Sequence, residues 1–430
     1  MRKFKSLFLV AAALVFGLSS CNKDAITNNI EGEATYMTIS LGGVVSTRDA
    51  STGVTEAPGV YTPGTIQLTH ARVFVLNAAG GVVHSQEINV TNLAEPTILT
   101  VDGTPTGNNL RVLLAHSIYV VGNTPYDQRY ALSNLQTLGA IHAFYSTITT
   151  QGDYTEVVLA NVNAAAIPVS RGTVVSGTIP GQNPGTEMRN VVVRINPVIS
   201  RLELHNVNAV QGYHDATLTI PRRFYDENNN FLREETNVET IQAQIVGFDV
   251  TGVFLDNTFG NFTYAGGGTN LRNLGTLTNA QLEYALENNE VPYYIIDTWT
   301  ANDNLVAAPA SGHVWAFNVA SSNVPRLIIR LANIQWKPRA ADDWRQENER
   351  HDPITITGIR FITVTSYTGI NTFERGNIYR IGLGVDGSAG FTLTVNDVVD
   401  APVVINPEGV NVRVGVEVQE WRFFPTTPNW

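Results

Sequence analysis

The chain has 430 residues, 43% of them hydrophobic and 15% charged, and a formal net charge of −11. The length suggests two or three domains, and the low charge with 36 Gly and 19 Pro favours all-β over helical ones. An acidic balance argues against a nucleic-acid partner, which rewards a basic surface.

The first residues read as a targeting segment. Arg2, Lys3 and Lys5 form a basic stretch, and Leu7 to Leu18 an apolar run short for a bilayer span. Leu18-Ser19-Ser20-Cys21 then reads as a bacterial lipobox, and Cys21 is the single cysteine. The expectation is cleavage before Cys21, lipidation of Cys21, and a mature chain without disulfides. Residues 22–33 read as a polar tether.

A first strand follows in "ATYMTISLGGVV", with Met37, Ile39 and Leu41 on one face. The next stretch, "STRDASTGVTEAPGVYTPGT", is rich in turn formers and reads as an exposed loop. "HARVFVLNAAGGVVHSQEINV" reads as a hairpin turning at Asn77–Gly81. "TILTVDGTPTGNNLRVLLAHS" supplies two more strands. Leu132, Leu135, Leu138 and Ile141 approach helical spacing, with Ser133 as the expected cap. "VVVRINPVISRLELHNV" returns to strand, and the Gly/Pro-rich Pro180–Met188 marks a candidate boundary.

The second half repeats the style, from "IQAQIVGFDVTGVF" through "PRLIIRLANIQW" to "NIYRIGLGV". "LTNAQLEYALEN" reads as a short helix. "YDENNNFLREET", "DNTFGNFTYAGGGTN" and "KPRAADDWRQENERHDP" read as long polar loops. The pattern fits an all-β chain of two tandem β-sandwich domains with a few short helices. The expected division is residues 1–21 as signal, 22–48 as tether and removable first strand, 49–190 as the N-terminal domain, and 191–430 as the C-terminal domain.

Motifs for chemistry are sparse. The eight His residues show no metal-ligand spacing, and no nucleophile elbow or phosphate loop is present. Oxygen-rich "YDENNN" (Tyr225–Asn230) lacks the spaced acids of a calcium loop and reads as a hairpin tip. Trp299, Trp315, Trp336 and Trp344 could form a sugar platform, but strand-rich chains use tryptophan more often as core filler. The expectation is no enzyme, no cofactor and no metal.

Two features at the ends stand out. Arg48 and Lys23 are the only basic residues between Cys21 and Arg72, and Arg48 sits in an exposed-loop sequence of the kind proteases cut. At the other end, Val410, Val412, Val414, Val416 and Val418 fall on alternate residues of a long strand. The phase slips before Trp421 and Phe423, so a bulge or bend is expected near Gln419–Glu420. The strand carries few blunting charges and could close its own sheet or pair with another molecule's open edge.

The lipobox followed by "CNKD", the hairpin "ARVFVLNAAGGVVHS", the segment "NPVISRLELHNV", and the C-terminal series "FERGNIYRIGLGVDG", "EVQEW" and "NW" together resemble the major fimbrillins of Bacteroidetes, subunits of type V pili. The resemblance covers most of the chain. It implies transthyretin-like sandwiches and an outer-membrane lipoprotein precursor, palmitoylated at its cysteine. It further implies that an Arg-specific extracellular protease cuts after the first strand, here between Arg48 and Asp49. Loss of that strand would open a groove for the C-terminal strand of another subunit, here residues 409–424. Burying a valine is worth roughly 1.5–3 kcal/mol, so five supply on the order of 10 kcal/mol before ordering costs. Such a head-to-tail contact propagates a fibre of copies of this chain or related subunits, supporting adhesion or biofilm formation. The alternative is a surface-anchored glycan-binding lipoprotein that does not polymerise.

Overall fold

A computed structural model of the protein describes residues 34–35, 37–42, 68–88, 97–98, 112–113, 115–148, 157–177, 186–272, 294–295, 299–300, 306–307, 315–347, 349–382, 391–403, 411–414 and 417–420. The fold is all-β, built from several sheets with a few short helices. No helix among the described residues is long and apolar enough to cross a membrane.

A nine-stranded sheet dominates the N-terminal half. Its strands are β1 (Met37–Gly42), β2 (Ala71–Leu76), β3 (Val82–Ile88), β4 (Thr97–Ile98), β5 (Ser117–Gly122), β7 (Leu159–Asn161), β8 (Thr173–Gly177) and β9 (Thr186–Pro197), with the short Ile167–Pro168 beside β5. The order is β3-β2-β5-β7-β9-β1-β4, and β8 also pairs with β9. β6 (Tyr145–Thr147) leaves this sheet for the C-terminal half. The continuous apolar run of β2 and β5 is buried on both faces, as a central strand requires. The β2–β3 turn falls where its sequence places it: Asn77 Oδ1 accepts from the amides of Ala79 and Gly81 at 3.0 and 2.8 Å.

The expected single helix is two, α1 (Arg129–Ser133) and α2 (Leu138–Ala143). Ser133 does not cap; its hydroxyl donates to the Tyr130 carbonyl, while Thr137 caps α2 by accepting from the Ala140 amide. A β-branched cap between Leu135 and Leu138 splits the apolar spacing. The expected helix at "LTNAQLEYALEN" lies outside the described residues.

At Val198 the chain leaves the first sheet and enters β10 (Ile199–Leu204), so β9 runs through residues 190 and 191 without a break. β11 (Val207–Ala209) follows. "YDENNNFLREET" and "DNTFGNFTYAGGGTN" are not long loops. The first is the end of β12 (His214–Tyr225), a tight turn, and the start of β13 (Phe231–Asp256); the second is the hairpin of β14 (Thr258–Thr263) and β15 (Gly268–Arg272). Polar and glycine residues mask the strand signal in both segments, although Phe262 and Tyr264 of the second are buried, because pairing depends on backbone groups.

Beside several two-residue strands, the C-terminal half continues with β16 (Trp315–Ala320), β17 (Arg326–Pro338), β18 (Arg360–Tyr367), β19 (Asn377–Ile381), β20 (Thr392–Leu393), β21 (Asn411–Val414) and β22 (Glu417–Glu420), with α3 (Val395–Val399) between β20 and β21. One sheet has the order β12-β13-β17-β18-β21 and a second β16-β10-β19-β22. Their facing apolar positions, among them Leu202, Leu204, Val250, Phe317, Ile329 and Ile362, are buried in one continuous core.

Candidate functional site

β1 is an inserted strand. It pairs in parallel with β9 from Arg189–Met37 to Arg194–Gly42, and antiparallel with β4 through Thr38–Ile98 and Ile39–Thr97. Ile39 and Leu41 register with Val191 and Val193, which are buried, while the intervening Val192 is exposed. Met37 registers with Arg189. Removing β1 would leave the backbone of β9 from Arg189 to Arg194 without that neighbour. Cys21, Arg48 and Asp49 lie outside the described residues.

The C-terminal strand lies on its own chain. β21 pairs in parallel with β18, with Val412 opposite Val364 and Val414 opposite Tyr367. β22 pairs antiparallel with β19, with Val418 opposite Tyr379 and Gln419 opposite Ile378. The segment therefore moves from the edge of one sheet to the edge of the other between Val414 and Glu417. Among the described residues the β22–β19 ladder runs without a register shift through Gln419 to Asn377–Glu420, and the residues after Glu420, where the phase slip falls, lie outside the described residues. The sheet switch falls between Val414 and Glu417 and is not visible in the valine alternation, because the alternation of the sequence continues across it. Val410, Val416 and Trp421 lie outside the described residues.

A charged cluster lies beneath the β22 edge. Glu203 is fully buried and accepts from Arg201 Nε at 2.8 Å and Arg380 Nε at 3.1 Å, with His205 Nε2 at 3.2 Å. Burial pushes the Glu203 carboxyl up, but His205, Arg201 and Arg380 outweigh it and hold the carboxyl down at about 2. Arg380 also registers with Glu417 of β22. The sequence reading missed this cluster. Its signal was Arg201, Glu203 and His205 at alternate positions of "SRLELHNV", hence on one face of a strand.

The two halves meet at a second polar site. Arg375 sends Nη2 to Asn196 Oδ1 at 3.0 Å and to the Ala160 carbonyl at 3.4 Å, and Nη1 to the Ala265 carbonyl at 3.3 Å. Gly376, at φ +73°, brings the backbone so close that a Cβ there would lie 2.5 Å from Asn196 Nδ2. β6 pairs with β14 across the same boundary, where Ser146 Oγ lies 3.2 Å from Tyr264 Oη.

Other candidates resolve into structural roles. Trp315 is fully buried, and Trp336 is 6% exposed and stacks on Trp344 with 6.2 Å between centroids. Trp299 lies in a two-residue strand paired with β13. Asp226 Oδ1 accepts from the amides of Asn228 and Asn230, so its carboxylate caps the turn of "YDENNN". Among the described residues no group of three or more His, Cys, Asp or Glu gathers as a metal site. Gly266, at φ +103°, makes the Gly-rich stretch a turn.

No protein-family model matches the chain, and no curated protein matches it. Solved structures do. A candidate cell adhesion protein of Bacteroides eggerthii is similar at 13% identity and a TM-score of 0.43, covering 92% of this chain and 98% of that one. The tip fimbrial protein Mfa3 of Porphyromonas gingivalis is similar at 9% identity and a TM-score of 0.36, covering 90% and 99%. A fimbrilin of Porphyromonas gingivalis is similar at 13% identity and a TM-score of 0.41, covering 92% of this chain and 99% of that one, so this all-β chain has fimbrial and candidate adhesion proteins of Bacteroidetes among its structural neighbours.

Proposed function

We propose that the chain is a fimbrial subunit that polymerises by protease-triggered strand exchange. In this reading it is exported as an outer-membrane lipoprotein acylated at Cys21, and an Arg-specific protease cuts between Arg48 and Asp49. Cleavage frees residues 22–48, including Met37, Ile39 and Leu41. The C-terminal strand of another copy, with Val410 to Val418 and Trp421, then takes the place of β1.

The observation that carries the reading is the pairing of β1. It stands between β9 and β4, bound on both sides by ladder hydrogen bonds. Each such bond contributes roughly 0.5–1.5 kcal/mol net, so a strand that is cut free of the chain is replaceable by another of similar length. While β1 remains covalently attached it competes at high effective concentration, and cleavage becomes the control step. The donor is held more lightly. β21 and β22 each pair over four residues at a sheet edge, and a register shift interrupts the first ladder.

The test uses purified precursor treated with an Arg-specific protease and followed by gel laddering and electron microscopy. Cleavage after Arg48 should yield head-to-tail oligomers, and deletion of Gly409–Trp430 should abolish them. Cleaved full-length chain that stays monomeric, or a truncation that forms normal fibres, rejects strand exchange.

A further inference from the structure

Glu203, Arg380 and Glu417 form one row across three neighbouring strands. Glu203 of β10 is in register with Arg380 of β19 in a parallel ladder, and Arg380 with Glu417 of β22 in an antiparallel one. Directly opposite residues of a ladder take the same face of the sheet. The row therefore reads acid, base, acid from the interior of the sheet to its edge. The Glu203 carboxylate meets Arg380 at 3.1 Å, with the Glu203 side chain fully buried and that of Arg380 13% exposed.

The charge balance of the cluster favours the outer acid. Glu203 accepts from both Arg201 and Arg380, so one negative charge is shared between two positive ones. Arg201 is fully buried on the same strand as Glu203, whereas Arg380 lies one strand nearer the edge. A cation in so covered a position is stabilised by every carboxylate brought beside it. A guanidinium carries five N–H donors, enough for two carboxylates at once. Glu417 is the residue that the β22 ladder sets opposite Arg380.

The row falls where the C-terminal segment is held most regularly. The β21 ladder is interrupted by a register shift between Val364 and Ser366, whereas the four residues of β22 pair with β19 without one. A cross-strand pair of opposite charge adds to such a short ladder, and its loss weakens it. We infer that Arg380, backed by Glu203, latches β22 through Glu417, and that this pair governs how readily the C-terminal strand leaves its own chain for another copy. The inference rests on the polymer reading.

The experiment first measures amide hydrogen exchange by mass spectrometry in the uncut full chain and in Glu417→Gln and Glu417→Lys. The expected result is exchange across residues 417–420 about threefold faster in Glu417→Gln and faster still in Glu417→Lys, with residues 71–76 of β2 unchanged. Exchange at 417–420 that neither substitution alters, or an acceleration shared equally by residues 71–76, overturns the latch. The second step cleaves the parent and Arg380→Gln, a substitution outside the exchanged strand, and times the gel ladder of each. Arg380→Gln should form its ladder sooner. A ladder that forms no sooner overturns the control of assembly and leaves strand exchange standing. Absence of any ladder from the cleaved parent overturns strand exchange and that control with it.

Discussion

Ile39 of β1 and Val191 of β9 are register partners in a parallel ladder, within a sheet whose other ladders are antiparallel. A strand inserted this way, remote in sequence from its partner, can be withdrawn with the ladders of β9 to β7 and β8 intact, leaving β4 without that neighbour. The freed β9 edge presents Val191 and Val193 at 1% and 0% exposure in the intact fold, so an empty slot exposes apolar surface and unpaired amides. A synthetic peptide of residues 409–421 should bind the cleaved monomer at least about tenfold more tightly than the intact precursor, a difference of ~1.4 kcal/mol. Fluorescence anisotropy measures it, and equal binding to both forms counts against a vacated groove.

Glu203 supplies a stability test. Replacing it with Gln leaves Arg201 fully buried opposite a neutral partner, and breaking a buried pair costs about 3–5 kcal/mol. Guanidinium unfolding should show this loss. The folded carboxyl is held at about 2 against an ordinary 4.5, so its stabilisation is complete above pH 4.5 and is lost as pH falls from 4.5 towards 2. Across that window Glu203→Gln should flatten the pH dependence.

His70 acts in the next window up. Burial, then the Arg129 guanidinium at 2.8 Å from Nδ1, push the imidazole down to about 4 from 6.5. The folded ring stays neutral while the unfolded one takes a proton, so stability falls as pH drops from 6.5 to 4. Thermal unfolding of His70→Gln should lose part of this slope; an unchanged slope means that other groups set it.

Arg375 ties the halves together through carbonyls of both. Arg375→Ala should destabilise the protein by about 2–4 kcal/mol, from lost packing and unsatisfied acceptors. Arg375→Lys should recover little, because an ammonium cannot span Asn196 and Ala265 as a planar fork does. Denaturant titration of both variants separates charge from geometry.

The all-β class was legible because short apolar runs such as "ARVFVL", bounded by turn formers, are strands buried on both faces. The β2–β3 turn was legible because Asn77 and Gly81 carry its chemistry. The far end of the β12–β13 hairpin was not: "FLREET" has no apolar periodicity, since both of its faces meet water, and what makes it a strand is register with Arg222 and Arg223. The sheet switch between Val414 and Glu417 was hidden because alternation reports which face a residue takes and not which sheet it joins. The Glu203 cluster was overlooked because Arg380 is brought to Glu203 by parallel pairing of β10 with β19, a long-range contact that a local pattern cannot contain. Met37, Ile39 and Leu41 were picked out by local alternation, whereas their partner strand was given only by the fold.

N-terminal sequencing of the protein sheared from the cell surface in assembled form tests the central claim most directly. Strand exchange predicts a mature start at Asp49, with residues 22–48 absent from the fibre. A surface protein that retains lipidated Cys21 and the Met37–Gly42 strand throughout its assembled form would contradict it.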